Sequence, residues 1–514
     1  MNMKKTTLLL IALLPLLTVI AQKKNKSLEK LGSTITAADL KKHLYIVASA
    51  ENEGRDTPSP GLEKAGNYIE EHFKSLGLKP GNGDSYRLPY PLYRDSVLGS
   101  SIKVNGNTYE LNTDFQNGNS NYSSELPFSE AVFVGYGIVD EKLDSYKDLD
   151  VRGKAVIILE GAPADYKPAE SGFRSASGTF GKLNAASKKG AVAVLMIQKG
   201  FPKRPAITQS NWSLNGYRST INPQLFYISE NIAANIMGEN GKGVFDKMTA
   251  NALTNKTYKA NIDLSFQKTT IKTSVSNVMG LLEGTDKKDE YVIITAHYDH
   301  VGKRDSQIFY GADDDGSGTV SVLELAEAFV KAKAEGKGPR RSILFMTVSG
   351  EEHGLWGSAY YSNHPVYPLE KTTVNLNIDM IGRIGNDYMK DKDSANYIYV
   401  IGDNKLSSDL TPITEAINGT YTKLKLDRKY NDPKDPNRFY YRSDHYNFAE
   451  KGVPIIFYFN GVHPDYHRPT DTPDKIKYDL MEKRAKLVFY TAMEMANREE
   501  MLKRDMPLEA QRAF

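Results

Sequence analysis

The spacing of apolar residues changes along the chain, and its first pattern is helical. Over residues 37–77 apolar side chains recur every three or four positions, which is the spacing of one face of an α-helix. The pattern predicts a helix from Ala37 to Ser49, capped by Thr36, and a second helix from Gly61 to Gly77. This stretch is therefore predicted to be helical.

The middle of the chain has a different pattern. Short apolar runs at 131–137, 155–159 and 191–197 are typical of strands, and the first of them runs into a glycine turn. A helix is predicted at 182–189. Residues 129–267 are therefore predicted to form a small β-rich module with one or two helices.

From Asn277 onward short apolar runs alternate with helical patterns. The predicted strands are Tyr291–Ala296, Ile343–Val348, Val374–Ile378, Tyr397–Ile401 and Pro454–Phe459. The predicted helices are Gly318–Lys333, Ser407–Asn418, Ser443–Glu450 and Tyr478–Arg498. Such alternation predicts an α/β fold, with a mixed, mainly parallel sheet flanked by helices. Active sites of these folds lie beyond the carboxyl ends of the strands.

The first residues have the pattern of a targeting segment. Lys4 and Lys5 precede an apolar run from Leu8 to Ile20, and Ala21 offers a small residue at a cleavage position. This is typical of a cleaved secretory signal peptide, here residues 1–21, and the run is short for a membrane span. We expect a secreted or periplasmic protein without stable membrane insertion after cleavage.

The amino-acid composition excludes several classes of partner and of active site. With 514 residues, 40% hydrophobic and 25% charged, the chain has globular composition and room for two to four domains. The 66 Lys and Arg residues nearly balance the 63 Asp and Glu residues and form no blocks, so no nucleic-acid partner is expected. The chain has no cysteine, which excludes disulfides, thiolate nucleophiles and zinc–thiolate sites. Any metal must therefore be held by histidines and carboxylates.

Histidines and acidic residues collect where predicted strands end. Seven of the nine histidines lie between His297 and His467. The residues of interest are His297, Asp299, Asp314, Glu351, Glu352, Asp379 and His467. Loops that follow parallel strands meet at one edge of a sheet, so these side chains are expected to converge.

This set of side chains suits two zinc ions. Two histidines and three carboxylates can hold two divalent ions without thiolates. Asp314, Glu352 and Asp379 offset three of the four positive charges, and a bridging hydroxide offsets the fourth. Glu351 then remains free to accept a proton from the activated water and return it to a leaving amine.

Five motifs carry a resemblance to a known family. They are His297-x-Asp299, Asp314 followed by Asp315-Gly316-Ser317-Gly318, Glu351-Glu352, Asp379-Met380-Ile381-Gly382, and His467-x-x-x-Asp471. In this order they resemble the co-catalytic di-zinc aminopeptidase family, which also contains carboxypeptidases and transferrin-receptor-like proteins. The resemblance implies peptide substrates and a zinc exopeptidase fold. It also implies that residues 22–128 are the first part of the peptidase domain, 129–267 an inserted protease-associated domain and 268–514 the catalytic part.

The same resemblance implies roles for single residues. One zinc would be held by His297 and Asp379 and another by Glu352 and His467, with Asp314 bridging them. Glu351 would act as general base and acid, Asp299 would support His297, and Tyr466 would help to polarise the substrate carbonyl. A cis peptide bond is implied between Asp314 and Asp315.

Neighbouring polar residues have simpler interpretations. Asp313 and Asp315 are expected to be caps or turn residues. Pro464 and Pro469 predict an irregular loop, so His467 is favoured over His463 as a ligand. His353 follows Glu352 and is expected beside the metals, whereas spacing assigns no role to His445.

The favoured function is a zinc aminopeptidase, because Glu351 and Asp379 are placed to hold a free α-amine. Arg383, Arg442 and Arg468 leave a carboxypeptidase or dipeptidase open, since arginine binds a terminal carboxylate. Two further alternatives are a glutaminyl-cyclase-like acyltransferase with one zinc and a non-catalytic, receptor-like binding module. Oligomeric state and side-chain preference are not predicted.

Overall fold

The computed structural model describes residues 24–118, 122–169, 172, 175–203, 208–217, 221–238, 246 and 256–508. The predicted signal peptide at 1–21 lies outside these residues. Within them, no helix combines the length and the apolar character that crossing a membrane requires.

The described elements are numbered in chain order. The α-helices are α1 (Lys26–Gly32), α2 (Ala37–Val47), α3 (Pro60–Ser75), α4 (Thr179–Lys188), α5 (Glu230–Met237), α6 (Gly318–Ala334), α7 (Trp356–Asn363), α8 (Leu410–Tyr421), α9 (His445–Ala449) and α10 (Tyr478–Asn497). The strands are β1 (Lys79–Pro80), β2 (Arg87–Val104), β3 (Asn107–Tyr109), β4 (Phe115–Asn117), β5 (Ser124–Phe133), β6 (Ala155–Leu159), β7 (Ala193–Ile197), β8 (Gln224–Ile228), β9 (Thr257–Leu282), β10 (Lys287–His297), β11 (Lys303–Arg304), β12 (Gln307–Ile308), β13 (Arg341–Val348), β14 (Thr372–Ile378), β15 (Tyr397–Ile401), β16 (Lys425–Asp427) and β17 (Ile455–Phe459).

The described chain forms two compact units. The first contains the residues up to Tyr90 and those from Ser274 onward, and the second runs from Pro91 to Thr273. The first unit has the strand order β16-β15-β17-β14-β10-β13-β9. The pairs β13–β10, β10–β14 and β14–β17 are parallel, whereas β9 and β15 join antiparallel.

Helices cover both faces of this sheet, because its central strands are apolar on both faces. Every residue of β13 is buried. Phe345 packs with Phe329 of α6, which in turn packs with Phe489 of α10. The next residue, Met346, belongs to the core cluster on the other face together with Tyr361 of α7. The predicted fold class, a mainly parallel mixed sheet flanked by helices, is confirmed.

The second unit has its own sheet and core. Strands β5, β6, β7 and β8 are parallel in that order, and β4 joins β8 antiparallel. Residues 257–266 of β9 pair antiparallel with β5. The predicted module of residues 129–267 lies within this unit, which begins earlier because Phe115 of β4 pairs with Ile228 of β8.

Several helix caps and element bounds can be compared directly with those predicted from the sequence. Thr36 accepts a hydrogen bond from the backbone N–H of Asp39 and so begins α2 as predicted. The second predicted helix begins one residue earlier, at Pro60, with Ser59 as its cap. The strands at 155–159 and 397–401 have the predicted bounds.

Candidate metal centre

The predicted site residues meet at the carboxyl ends of the parallel strands. His297 ends β10, Glu351 and Glu352 follow β13, and Asp379 follows β14. Asp314 lies in the tight turn Ala312–Ser317 just before α6, and His467 lies in the loop after β17.

His297, Asp314 and Asp379 form the first group of metal-binding side chains. Their ligand atoms all lie within 4.8 Å of one another. His297 Nε2 is 3.4 Å from Asp314 Oδ1 and 3.7 Å from Asp379 Oδ1. The other oxygen of Asp379, Oδ2, accepts a 2.6 Å hydrogen bond from Ser443, which orients the carboxylate.

A second group forms around the other oxygen of Asp314. His467 Nε2 is 3.0 Å from Asp314 Oδ2 and 3.0 Å from Glu352 Oε2. His300 approaches the same carboxylates, with its Nδ1 2.8 Å from Glu352 Oε1 and 3.7 Å from Asp314 Oδ2. Asp314 is thus the residue shared by both groups. His300 was not predicted as part of the site, although it directly follows the His297-x-Asp299 motif and is buried.

The donor set fits two divalent ions. A tetrahedral zinc with bonds of about 2.0–2.2 Å separates neighbouring ligand atoms by roughly 3.3–3.6 Å, and the distances above lie close to this range. Buried polar atoms are also left without hydrogen bonds, namely His297 Nε2, His300 Nδ1, Asp314 Oδ2 and Glu352 Oε1. Because unpaired buried polar atoms are costly, such atoms gathered around two points are well suited to hold cations.

In the candidate metal centre, neighbouring charges shift the pKa values of the side chains in the direction opposite to burial. Desolvation alone would lower the pKa of His467, but Asp314 and Glu352 raise it to about 10. Burial would likewise raise the pKa of Asp314, yet its contacts with His297 and His467 hold it well below the usual value. Without metal His297 and His467 are therefore held protonated by the carboxylates, and a cation takes the place of those protons.

Glu351 stands apart from both groups. Its Oε2 lies 3.8 Å from His297 Nε2, and the side chain is 12% exposed. Burial, reinforced by Glu352 and Asp379, raises the pKa of Glu351 well above its usual value despite the nearby His297. The Asp299 carboxylate accepts a hydrogen bond from the backbone N–H of Glu351. The backbone oxygen of Asp299 lies 3.1 Å from His297 Nδ1.

A small cavity of about 30 Å³ lies beside these carboxylates. Its lining combines carboxylates with apolar side chains, namely Asp314, Glu351 and Asp379 with Phe439, Phe457, Phe459 and Val462. Tyr466 also lines it, stacks on the His467 ring at 3.9 Å and accepts a 3.3 Å hydrogen bond from Arg442 Nη2. Burial raises the pKa of Tyr466, so its hydroxyl keeps its proton.

Two further carboxylates hold the turn that carries Asp314. Asp471 accepts hydrogen bonds from the N–H groups of Asp313 and Asp314. Asp315 accepts from the N–H groups of His297, Gly318 and Met380. A side chain at Gly318 would meet the Asp315 carboxylate at 2.4 Å, so glycine is required there. The peptide bond between Asp314 and Asp315 is cis.

Arg55 is a supporting residue that was not predicted. It is fully buried and donates hydrogen bonds to the backbone oxygens of Val47, Tyr298, Tyr310 and Gly311. These bonds join the end of α2 to the loop between β10 and Asp314. Desolvation lowers the pKa of Arg55 to about 10, which leaves it charged at neutral pH.

The remaining histidines have other partners. His463 Nε2 is 3.1 Å from Asp313 Oδ2, and His353 Nε2 is 2.7 Å from Asp56 Oδ1. His445 stacks on Phe457 and its Nε2 lies 2.8 Å from the Tyr440 backbone oxygen. The geometry therefore groups His467, not His463, with Asp314 and Glu352.

The three arginines near the motifs differ in availability. Arg383 is paired with Asp465 at 2.7 Å and lies 3.5 Å from Asp471. Arg468 is exposed, whereas Arg442 lines the cavity. Asp444 is fully buried and accepts a hydrogen bond from Ser358, so it does not line the cavity.

Comparisons with known proteins agree with this geometry. Residues 277–492 match Peptidase family M28. A "Probable leucine aminopeptidase" of Arthroderma otae is 32% identical over 216 residues, which are 41% of this chain and 55% of that protein. An aminopeptidase of Bacillus subtilis, YwaD, is 27% identical over 249 residues, 46% of this chain and 49% of that protein. The chain thus spans about half the length of these curated relatives.

A solved structure is similar in fold to nearly the whole chain. The aminopeptidase from Aneurinibacillus sp. strain AM-1 superposes with a TM-score of 0.52 at 21% identity, covering 94% of this chain and 100% of that one. Residues 277–492, which contain the five motifs, match peptidase family M28, and the predicted resemblance to the co-catalytic zinc peptidases is confirmed.

Proposed function

We propose that the protein is a di-zinc aminopeptidase that hydrolyses the first peptide bond of a substrate with a free α-amine. The observation that carries the proposal is the pair of groups that share Asp314, beside Glu351, which belongs to neither group and lines the small cavity. His297 and Asp379 would hold one ion, Glu352 and His467 the other, and Asp314 both. His300, 2.8 Å from Glu352, would complete or orient the second group.

Two bound zinc ions would supply Lewis acidity and a more acidic water. Glu351 accepts the proton of the attacking water and returns it to the leaving amine. A carboxylate with a raised pKa suits both steps, and burial raises the pKa of Glu351. The backbone N–H of Glu351, bonded to Asp299, keeps the residue in position. Tyr466, protonated and at the cavity wall, would donate a hydrogen bond to the substrate carbonyl.

The cavity supports an apolar first residue. Phe439, Phe457 and Phe459 line the cavity together with the carboxylates, and a leucine or phenylalanine side chain packed against these rings would contribute up to about 1.5–3 kcal/mol. The name of the Arthroderma otae relative agrees with such a preference. The carboxypeptidase alternative rests on one observation, namely that Arg442 also lines the cavity.

We also propose that the second unit acts as the inserted protease-associated domain and that residues 1–21 direct export. The unit from Pro91 to Thr273 interrupts the peptidase unit in sequence, as an insertion would. The N-terminal sequence of mature, exported protein would test the cleavage position.

Zinc content and peptide hydrolysis test the enzyme proposal together. We expect leucine amide to be hydrolysed, chelation to abolish the activity, and zinc to restore it. The matched variants are Asp379→Asn, which removes a proposed ligand, and Asp465→Asn, which lies outside both groups. Asp379→Asn should lose zinc and activity, whereas Asp465→Asn should keep zinc. Full activity in the chelated protein would contradict the proposal.

A further inference from the structure

Metal-binding side chains also gather where three helices of the first unit pack, away from the residues of the candidate metal centre. His43 lies on α2, His72 on α3 and Glu327 on α6. Their ligand atoms, one from each residue, all lie within 4.8 Å of one another. Three side chains from three helices thus point to a common position.

The distances favour a shared cation over direct ion pairs. Glu327 Oε1 is 3.2 Å from His72 Nε2 and 3.4 Å from His43 Nε2. Charge-assisted N–H···O bonds are about 2.7–2.9 Å long, and both separations exceed this. The His43 separation lies within the roughly 3.3–3.6 Å between ligands of a tetrahedral zinc whose bonds are about 2.0–2.2 Å long, and the His72 separation is just below it.

Buried atoms around this position lack hydrogen bonds. His72 Nε2 has no hydrogen-bond partner, and neither does Glu324 Oε1, which lies 3.5 Å from His43 Nε2. Glu324 is one helical turn before Glu327 on the same face of α6, and its side chain is only 1% exposed. Burial raises the pKa of Glu324 to about 8. A nearly buried carboxyl group with one oxygen unpaired, beside two imidazoles, would give up its proton to a bound divalent cation.

The orientation of His43 also suits a ligand. Its Nδ1 is 2.6 Å from the hydroxyl of Tyr68 on α3. When Nδ1 donates to that hydroxyl, Nε2 is left with its lone pair toward Glu327. Glu327 itself is 40% exposed, so an ion has a route from solvent.

We propose that His43, His72 and Glu327 form a third zinc site, with Glu324 supplying the additional negative charge. Imidazole nitrogens and carboxylate oxygens in this number are typical zinc ligands. The ion would fix α2 and α3 to α6. Since α6 starts directly after the turn that carries Asp314, the site would stabilise the helix that positions the candidate metal centre.

Zinc stoichiometry of the full chain tests this site. Metal would be removed from the protein with a chelator, and the protein would be loaded with zinc alone and dialysed. Its zinc content per chain would then be measured by inductively coupled plasma mass spectrometry. Glu327→Gln and His72→Gln should each contain one zinc ion fewer per chain than the unchanged protein. The matched control is His364→Gln, which replaces an exposed histidine outside every group and should keep the full number.

A second background separates this site from the catalytic proposal. Glu352→Gln removes a proposed ligand of the candidate metal centre, and in that variant added zinc should still raise the melting temperature. Adding Glu327→Gln to it should reduce this increase, because only the ion held by His297, Asp314 and Asp379 is then left. If Glu327→Gln and His72→Gln hold as much zinc as the unchanged protein, the third site is wrong and the proposed function is unaffected. If zinc has no thermal effect in the Glu352→Gln background, the third site is likewise wrong.

Discussion

Glu351 and Glu352 are neighbours in the sequence, but their side chains have different surroundings. Glu352 contacts His300 and His467, whereas Glu351 faces the cavity with His297 as its nearest cation. We therefore expect Glu351→Gln to keep zinc and to lower kcat by roughly 10²–10⁴-fold, as for loss of a general acid–base. Glu352→Gln should instead lose zinc.

Zinc content and kcat measured on both variants check this assignment. Each variant is the control for the other, because both remove one charge from adjacent positions. Loss of metal in Glu351→Gln with metal retained in Glu352→Gln would shift the assignment by one residue.

His445 gives a prediction about acid stability. Burial lowers its pKa to about 3, and an unfolded histidine has a pKa of about 6.5. The unfolded chain therefore binds the proton first as pH falls. The stabilisation is complete above about pH 6.5 and is lost between about pH 6.5 and pH 3.

Metal-free wild type and His445→Gln should differ accordingly. Glutamine keeps a donor for the Tyr440 oxygen but does not titrate. From about pH 7 to pH 4 the wild type should lose about 3 kcal/mol more free energy of unfolding than the variant, at about 1.4 kcal/mol per pKa unit. Denaturant titrations at both pH values measure this, and parallel losses would show that His445 does not stay neutral.

At the scale of elements, Arg55 connects parts of the chain that are far apart in sequence. Its acceptors Tyr298 and Gly311 are 243 and 256 residues away. Arg55→Lys keeps the charge but cannot reach all of the carbonyls, and each buried acceptor left unpaired costs about 1–3 kcal/mol. We expect Arg55→Lys to lower the free energy of unfolding by about 2–4 kcal/mol and to weaken zinc binding.

Arg304→Lys is the matched control for this change. Arg304 is exposed and lies in the same loop region, so its replacement should cost under about 1 kcal/mol. Chemical unfolding and zinc titration of the two variants compare them. Equal effects would mean that the hydrogen bonds of Arg55 do not stabilise the loop.

Local patterns predict the elements whose burial is periodic or continuous. The strands at 155–159 and 397–401 are apolar throughout, and their predicted bounds match the structure. The strand β9 was not predicted, although its alternation of exposed and buried residues from Thr257 to Phe266 has the period of a strand. Helix α7 has no such signal, because its buried residues, Gly357, Ser358, Tyr361 and Ser362, are mostly glycine and serine rather than apolar.

The same distinction applies to the candidate site. The proposed ligands could be named from the five motifs, because each motif follows a predicted strand or precedes a predicted helix. Such positions can be recognised from the local sequence. His300 and Arg55 were missed because their roles depend on partners from other elements, such as Glu352 and Gly311. Local sequence does not show which loops will meet them.

At the scale of the whole molecule, the lining of the cavity predicts which end of a peptide is bound. Asp314, Glu351 and Asp379 line it as carboxylates, and Arg442 is the basic residue of the lining. Arg442 also donates to Tyr466, which partly occupies its guanidinium. A protonated α-amine would form charge-assisted hydrogen bonds with the carboxylates, worth about 1.5–3 kcal/mol each.

The tripeptide Leu-Gly-Gly with each end blocked in turn tests this prediction. N-acetylation removes the cation, so kcat/KM should fall by at least about tenfold, which corresponds to about 1.4 kcal/mol. Amidation of the carboxyl end should change kcat/KM little. An Arg442→Gln variant serves as the control, because it should cleave the free and the amidated peptide alike. Faster cleavage of the acetylated peptide, with activity lost on amidation and in Arg442→Gln, would instead make Arg442 the anchor of a carboxypeptidase.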